Sequence, residues 1–597
     1  MKLPTLTELQ TTRDMIDVFK GYNHNLRIGE NEFYDMKNLT SSHYPTLAVR
    51  GRRGVYNTSS LINPQGLIAK DSLCYVDCIA EEHEEGARFY INDNEVEGLR
   101  LSSKAEDCPK QLVSMGAYLI IMPDKKWIST ATLEHGNIEA SVTTTTAVSF
   151  EMCKVDGTSY GYYQKTEPTI TEAMKNGDED IPLWLDTSSS PHSLKQYSIS
   201  NGMWTSIATT YVKISANGIG KPFAVNDGVD ISGVVNTQLS DLNNTMIIWD
   251  RGDDYIVVTG ILDGATIQEE PITIKRQMPA MDFIVESGNR LWGCRYGVAN
   301  NGEVVNEIYV SKLGDFKNWN CYMGIATDSY AATVGTDGQF TGAIVHHGYP
   351  IFFKENCMHK VYGNYPANYQ IQTTACRGVQ KGCSKSLAIV NEVLYYKSRS
   401  AICAYDGSLP QEISYALGEV PYSNAVACSH GNKYYISMQD NTSQWHLFVY
   451  DTQKGMWHRE DNTRVDLFCS CREELYFIEH GSSNIKTMFG SGDKDSSPVE
   501  WMAETGVIGT GYPDKKYISK LNVRMSLDIG TRVLFYIQYD SAEGWEYLFT
   551  MDGTTLRSFT VPIRPKRCDH LKLRIEGYGE AKIYSISKTI EIGSDVQ

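Results

Sequence analysis

Along much of the chain an apolar pair is followed by a polar turn, a strand-like run rich in Leu, Tyr and Ile, and a second turn. The copies are LIAKDSLCYVDC from Leu67, LVSMGAYLIIM from Leu112, FIVESGNRLWGCR from Phe283 and AIVHHGYPIFF from Ala343. LAIVNEVLYYKS from Leu387, AVACSHGNKYYIS from Ala425 and LFCSCREELYFIE from Leu467 continue the series. With Leu73, Tyr118, Leu291, Ile351, Leu394, Tyr434 and Leu475 taken as equivalent, most steps are about 40 to 45 residues, the length of a four-stranded propeller blade. The strands that follow fit as well: WHLFVYDTQKGMWHRE after Tyr434 is a strand, a tight turn and an aromatic, as blade hairpins require. Unrelated sandwiches with similar strand spacing are the alternative. The pattern predicts an all-β chain centred on a β-propeller of about seven blades.

Three stretches break the period. The step from Tyr118 to Leu291 is far too long for one blade, so 136–279 is expected to hold a β-rich insertion together with some blade strands. Residues 497–597 read as antiparallel strands, with KLRIEG and AKIYSIS alternating apolar and polar, and predict a C-terminal β-sandwich of jelly-roll type. Residues 1–56 carry little periodicity yet contain Phe19, Tyr22, Leu26, Phe33, Tyr34, Met36, Leu39 and Tyr44, an arm that must bury these side chains against something already folded. The blades then occupy 57–135 and 280–496. The arm is expected to pack on the propeller and to supply the strand that closes first blade to last.

Composition narrows the class. A length of 597 residues exceeds one ordinary core, and 41% apolar with 21% charged residues suits folded domains rather than a disordered chain. The 37 tyrosines and 49 glycines suit strands and turns. A net charge of −17 argues against a surface that clamps duplex DNA, though a wall that repels phosphate suits a conduit for it. The start MKLPTLTELQ shows no signal-peptide run, and no apolar stretch reaches membrane-spanning length. The 14 cysteines therefore read as ordinary reduced thiols, including Cys469 with Cys471 and Cys376 with Cys383.

Several fragments invite a chemical reading and are discounted. YDTQKGMW (Tyr450 to Trp457) and YDSAEGW (Tyr539 to Trp545) half match the Asp box of sialidase propellers, yet no spacing singles out a pair of carboxylates for glycoside hydrolysis. RCDH (Arg567 to His570) sets a Cys, an Asp and a His side by side, but neighbours on a strand face opposite ways. His346 and His347 read as turn residues, RGD at Arg251 to Asp253 as a hairpin turn, and the basic cluster Arg50 with GRRG (Gly51 to Gly54) as a solvated turn. No catalytic, cofactor or metal site emerges, and the expectation is a protein that is not an enzyme.

Two terminal segments carry a resemblance. F-x-G-Y-N-x-N-L-x-I-x-x-x-E-F-Y-D-M-K-N-L-T (Phe19 to Thr40), with Y-P-x-L-A-x-R-x-x-R-G (Tyr44 to Gly54), resembles tail proteins of phages and prophages of gut Firmicutes, as does the segment Pro562 to Ile586. The arm, propeller, insertion and terminal sandwich are similar to podovirus tail nozzle and packaged-DNA stabilisation proteins. The resemblance implies a structural virion protein in a homo-oligomeric ring, hexameric in that family. It would adjoin other tail proteins such as a head–tail adaptor and tail fibres, with DNA passing through the lumen without specific binding. It would be assembled in the host cytoplasm. The alternative is a carbohydrate-active or receptor-binding propeller on the tail surface.

Overall fold

The computed structural model describes residues 10–57, 60–79, 86–104, 109–298, 302–325, 328–494, 497–511, 515–564 and 566–592. The expected start of the arm, residues 1–9, lies outside the described residues, as does Cys108. The chain is all-β, and contacts divide it into two compact units. One comprises residues 1–112, 338–361 and 371–597; the other comprises 113–337 and 362–370.

Seven antiparallel meanders of the propeller-blade type follow the predicted period. Blade one is Pro64–Lys70, Ser72–Cys78, Ala87–Ile91 and Asn94–Leu101. Blade two begins at Gln111–Met115 and ends at His135–Asn137, and blade three runs from Phe283–Ser287 to Tyr330–Thr333. Blades four, five and six begin at Gly342–His346, Ala388–Val390 and Ser423–His430. Blade seven holds Val465–Cys471, Glu474–Glu479 and Ile485–Thr487. The repeat anchors all fall at the start of a second strand, where Leu73, Leu291, Ile351, Leu394, Tyr434 and Leu475 are buried. Blade two departs by one residue: Tyr118 is exposed and Leu119 is the buried equivalent, because side chains alternate along a strand.

The fourth strand of blade seven comes from the arm. Gly54–Val55 pairs with Ile485–Thr487, Lys486 opposite Val55, so the residues just before blade one complete the last blade. Leu73 and Tyr75 of blade one then share a core with Leu467, Cys469 and Ile478 of blade seven. The arm thus supplies the closing strand as expected, and its other strands also join the C-terminal sheet. Gln10–Ile16 and Leu47–Val49 pair with Ala581–Ile592, and Phe33–Lys37 pairs with Glu500–Thr505. The C-terminal module is thus a ten-stranded sheet completed by arm strands, rather than a product of residues 497–597 alone.

Three long strands turn a corner in that sheet. Lys516–Tyr539 lies between Glu546–Val561 on one side and, on the other, Ala581–Ile592 followed by Leu571–Tyr578. Its register breaks between Leu527 and Arg532, level with Gly553 and Gly579. A Cβ on Gly553 would sit 2.4 Å from the Asp528 carbonyl, so the corner needs glycine. Alternate residues Leu521, Val523, Met525, Val533, Phe535 and Ile537 are buried.

The arm also binds blade six. The Tyr22 amide donates to the Trp457 carbonyl at 2.7 Å, and a Cβ on Gly21 would lie 2.3 Å from that oxygen. Phe19, Tyr22, Phe33, Met36 and Leu39 are all buried, each worth about 1.5 to 3 kcal/mol.

In the second unit every strand from Ala140–Thr143 to Thr273–Arg276 belongs to the insertion. Its four- and five-stranded sheets share one core with a third sheet built from Tyr163–Gln164 to Met203–Ser206. The expectation of blade strands within 136–279 is corrected: apart from the end of blade two, the stretch holds none among the described residues. Sandwich and blade strands share the period of two, so the pattern alone does not separate them.

Candidate functional site

First strands of neighbouring blades lie beside one another, from blade five to six, six to seven, and seven to one, so they are the inner strands of the propeller. Among the described residues of all seven first strands the only carboxylates are Asp466 and Glu286. Asp466 is held by Arg464 Nε at 3.3 Å and His480 Nδ1 at 2.7 Å, and Glu286 accepts the Asn289 amide at 2.8 Å.

A cleft of about 560 Å³ opens where the turns of blades six and seven meet the arm. Its walls include Ser42, Tyr44, His430, Lys433, Lys454 and Phe489. The Asp-box-like segment forms one wall, and its carboxylate is committed to the turn. Asp451 Oδ1 accepts the amides of Gln453 and Lys454, each at 3.1 Å, and Oδ2 accepts the Ser41 hydroxyl at 2.6 Å. Trp457 is buried, with its indole donating to the Ile413 carbonyl at 2.8 Å. Lys433 Nζ donates to Thr40 Oγ1 and Ser42 Oγ, both at 3.1 Å. Burial pulls its pKa down, against Asp451 and Glu460. Buried Glu474 accepts the Phe489 amide at 2.8 Å and the Ser491 hydroxyl at 2.6 Å, which pins the loop and leaves the Phe489 ring 46% exposed. Tyr44 is 40% exposed with the Lys454 ammonium 5.3 Å from its ring. Two aromatic faces among hydroxyls and ammonium groups suit a flat, hydroxylated ligand.

A second cleft, of about 550 Å³, lies within the insertion. Leu194, Leu239 and Ile261 face Gln238, Thr209 and Thr210 there, and no Lys or Arg lines it.

The fragments noted in the sequence fare differently. Arg53 donates to Glu460 at 3.0 Å and pairs with Asp461 at 2.9 Å, so the basic cluster ties the arm to blade six. His346 is buried on the Glu392 carbonyl at 2.6 Å and packs on His347. Burial lowers its pKa, the Glu392 carbonyl opposing. Arg251 approaches Asp253 at 3.8 Å and the Gly220 carbonyl at 3.4 Å, which makes the RGD part of the insertion's hairpin. The cysteines among the described residues are free thiols, and burial raises Cys376 and Cys428 to about 11. No group of three or more metal-ligating side chains occurs among the described residues.

The remaining two fragments meet. Tyr539 pairs with Leu571, which sets the turn of YDSAEGW against RCDH. Cys568 points into the core, as alternation requires, while Ser541 Oγ lies 2.7 Å from His570 Nε2 and His570 Nδ1 lies 2.9 Å from Asp569 Oδ2. Ser541 was not legible as a partner of His570, since such lines are assembled in space and not along the chain.

No family model and no curated protein matches the chain. Among solved structures, it is similar over 51% of its length to 94% of an exo-β-1,3-galactanase from Phanerochaete chrysosporium, at 8% identity and a TM-score of 0.21. An engineered GH43 glycoside hydrolase is matched at 9% identity, over 52% of this chain and 97% of that one, with a TM-score of 0.20. A puromycin hydrolase is matched at 12% identity, over 70% and 58%, with a TM-score of 0.22. TM-scores this low assign this chain no family, activity or residue. The three are hydrolases, a finding against which the expectation of a protein that is not an enzyme is withdrawn, without any activity passing to this chain.

Proposed function

We propose that this chain is a subunit of a bacteriophage tail, of the nozzle or hub kind, that closes into a ring around the DNA exit path. One observation carries the reading. The two terminal segments that resemble tail proteins are built into one sheet, with Leu47 opposite Ile583 and Ala48 opposite Lys582. The resemblance therefore concerns a single module joined across the length of the chain. The net charge of −17 suits a channel that DNA slides past. A head-to-tail interface whose rotation closes gives such a ring. Native mass spectrometry of the chain and peptide mapping of purified virions test it: a closed oligomer present in virions is expected, and a monomer absent from virions ends the reading. None of the matched structures named above is a tail protein.

A second reading, engagement of host-surface glycans, is favoured by the rim cleft with its exposed Tyr44 and Phe489 faces. A glycan array with the full chain should show binding that Tyr44→Ala and Phe489→Ala each weaken about tenfold or more. Binding untouched by both variants removes the cleft from the reading.

A further inference from the structure

We propose that Ser541, His570 and Asp569 form an acyl-transfer centre that hydrolyses small, sterically free esters. The inference rests on neither functional reading above. The strand Lys516–Tyr539 ends in a turn whose residues Asp540 and Ser541 both take positive φ, +49° and +54°, a region L-residues seldom adopt. That backbone leaves Ser541 exposed with its hydroxyl 2.7 Å from His570 Nε2. His570 Nδ1 faces Asp569 Oδ2 at 2.9 Å. A carboxylate there requires a proton on Nδ1, which leaves Nε2 as the acceptor of the serine hydroxyl. This is the order of nucleophile, base and orienting acid that activates a serine.

The base and its orienter are themselves fixed. Asp540 Oδ1 accepts the amides of Asp569 at 2.7 Å and His570 at 3.2 Å, and the Asp540 amide donates to the His570 carbonyl at 3.0 Å. The buried Lys516 ammonium donates to the Asp569 carbonyl. Each strand thus holds the other's reactive residue in place.

In the proposed reaction Ser541 Oγ attacks the ester carbonyl carbon and its proton passes to His570 Nε2. The bond from carbon to the alcohol oxygen breaks, and the departing alcohol takes that proton. Water then attacks the acyl-serine, gives a proton to Nε2, and releases the acid as Ser541 regains its hydrogen. Ester and water are consumed; acid and alcohol form. The centre lies open, with the Asp569 side chain 51% accessible, so charge stabilisation by an enclosed, dry site is weak. That restricts the substrate to small acyl groups on low-pKa leaving groups, such as aryl acetates, and excludes peptides.

The full-length chain treated with a fluorophosphonate probe, followed by peptide mass spectrometry, tests the proposal, with p-nitrophenyl acetate turnover alongside. The probe is expected on Ser541 of the folded protein, with labelling slowed about a hundredfold in His570→Ala and in His570→Gln. Asp569→Asn should shift the pH profile of labelling rather than abolish the adduct. Absence of an adduct at Ser541, or equal labelling rates in the wild type and both His570 variants, overturns the proposal. Ester turnover that survives Ser541→Ala at the wild-type rate overturns it as well, since imidazole alone would then account for it.

Discussion

Two turns with nearly the same sequence, YDTQKGMW at Tyr450 and YDSAEGW at Tyr539, do different work in this molecule. In the first, Asp451 spends its carboxylate on its own turn and on Ser41 of the arm, and Trp457 is buried with its indole on the Ile413 carbonyl. In the second, Asp540 reaches across to the amides of Asp569 and His570, and Trp545 stays half-buried with Arg574 5.8 Å from its ring. A turn that closes on itself stabilises a blade. A turn that reaches a neighbouring strand leaves polar side chains of two fragments in contact at the surface.

The largest effect should come from removing what covers the first turn. Deleting residues 1–45 strips Ser41 from Asp451 and five buried side chains from the core around blade six and the terminal sheet. The loss is on the order of 10 kcal/mol, enough to unfold that unit. Thermal melts and limited proteolysis should show no cooperative transition for the propeller and terminal strands. A melt like that of the full chain would mean the arm is dispensable.

Next in size are the two tryptophans. Trp457→Ala leaves a cavity beneath blade six and should cost about 3 to 5 kcal/mol, whereas Trp545→Ala should cost about 1 kcal/mol or less. Urea midpoints at constant slope read the difference. Equal losses would dissolve the contrast between the turns.

The aspartates follow. Asp451→Ala exposes buried donors without partners and should cost about 2 kcal/mol, while Asp540→Ala, at an exposed turn, should cost about 1 kcal/mol or less. Asp540→Ala should nevertheless loosen His570, seen as a change in the imidazole resonances, where Asp451→Ala leaves them alone.

How much of this was legible follows from the same physics. The blade period was, because each second strand buries a residue within its first three, and six of seven anchors fell on one. Blade two slipped because Tyr118 and Leu119 are both apolar and only the pleat decides which faces inward. The arm's closing strand was legible, since a propeller must hide the edge between its terminal blades; its pairing with the terminal sheet was not, because those strands are short and their partners, such as Ile583 for Leu47, lie more than 400 residues away. The Ser541 contact was hidden because strand pairing rather than adjacency in sequence brings its two fragments together, although both stood out.

The smallest effect concerns protons at the second turn. The hydrogen bond from His570 holds the Asp569 carboxyl below the usual carboxylate range, with burial opposing and Lys516 and His570 adding charge. A depressed folded-state pKa contributes stability that is present above the unfolded value and lost as pH falls through the folded one. Asp569 should therefore stay ionised into acid where ordinary surface carboxylates have already protonated, and its contact with His570 should release only below them. Because the pair is exposed, salt and solvent screen it and the melting temperature should barely move. NMR titration of the Asp569 carboxyl reads the effect directly. His570→Ala should return it to the ordinary carboxylate range. An Asp569 that titrates normally in the wild type would show that the line from Ser541 to Asp569 does not persist in solution, and would leave the second turn with a structural role like the first.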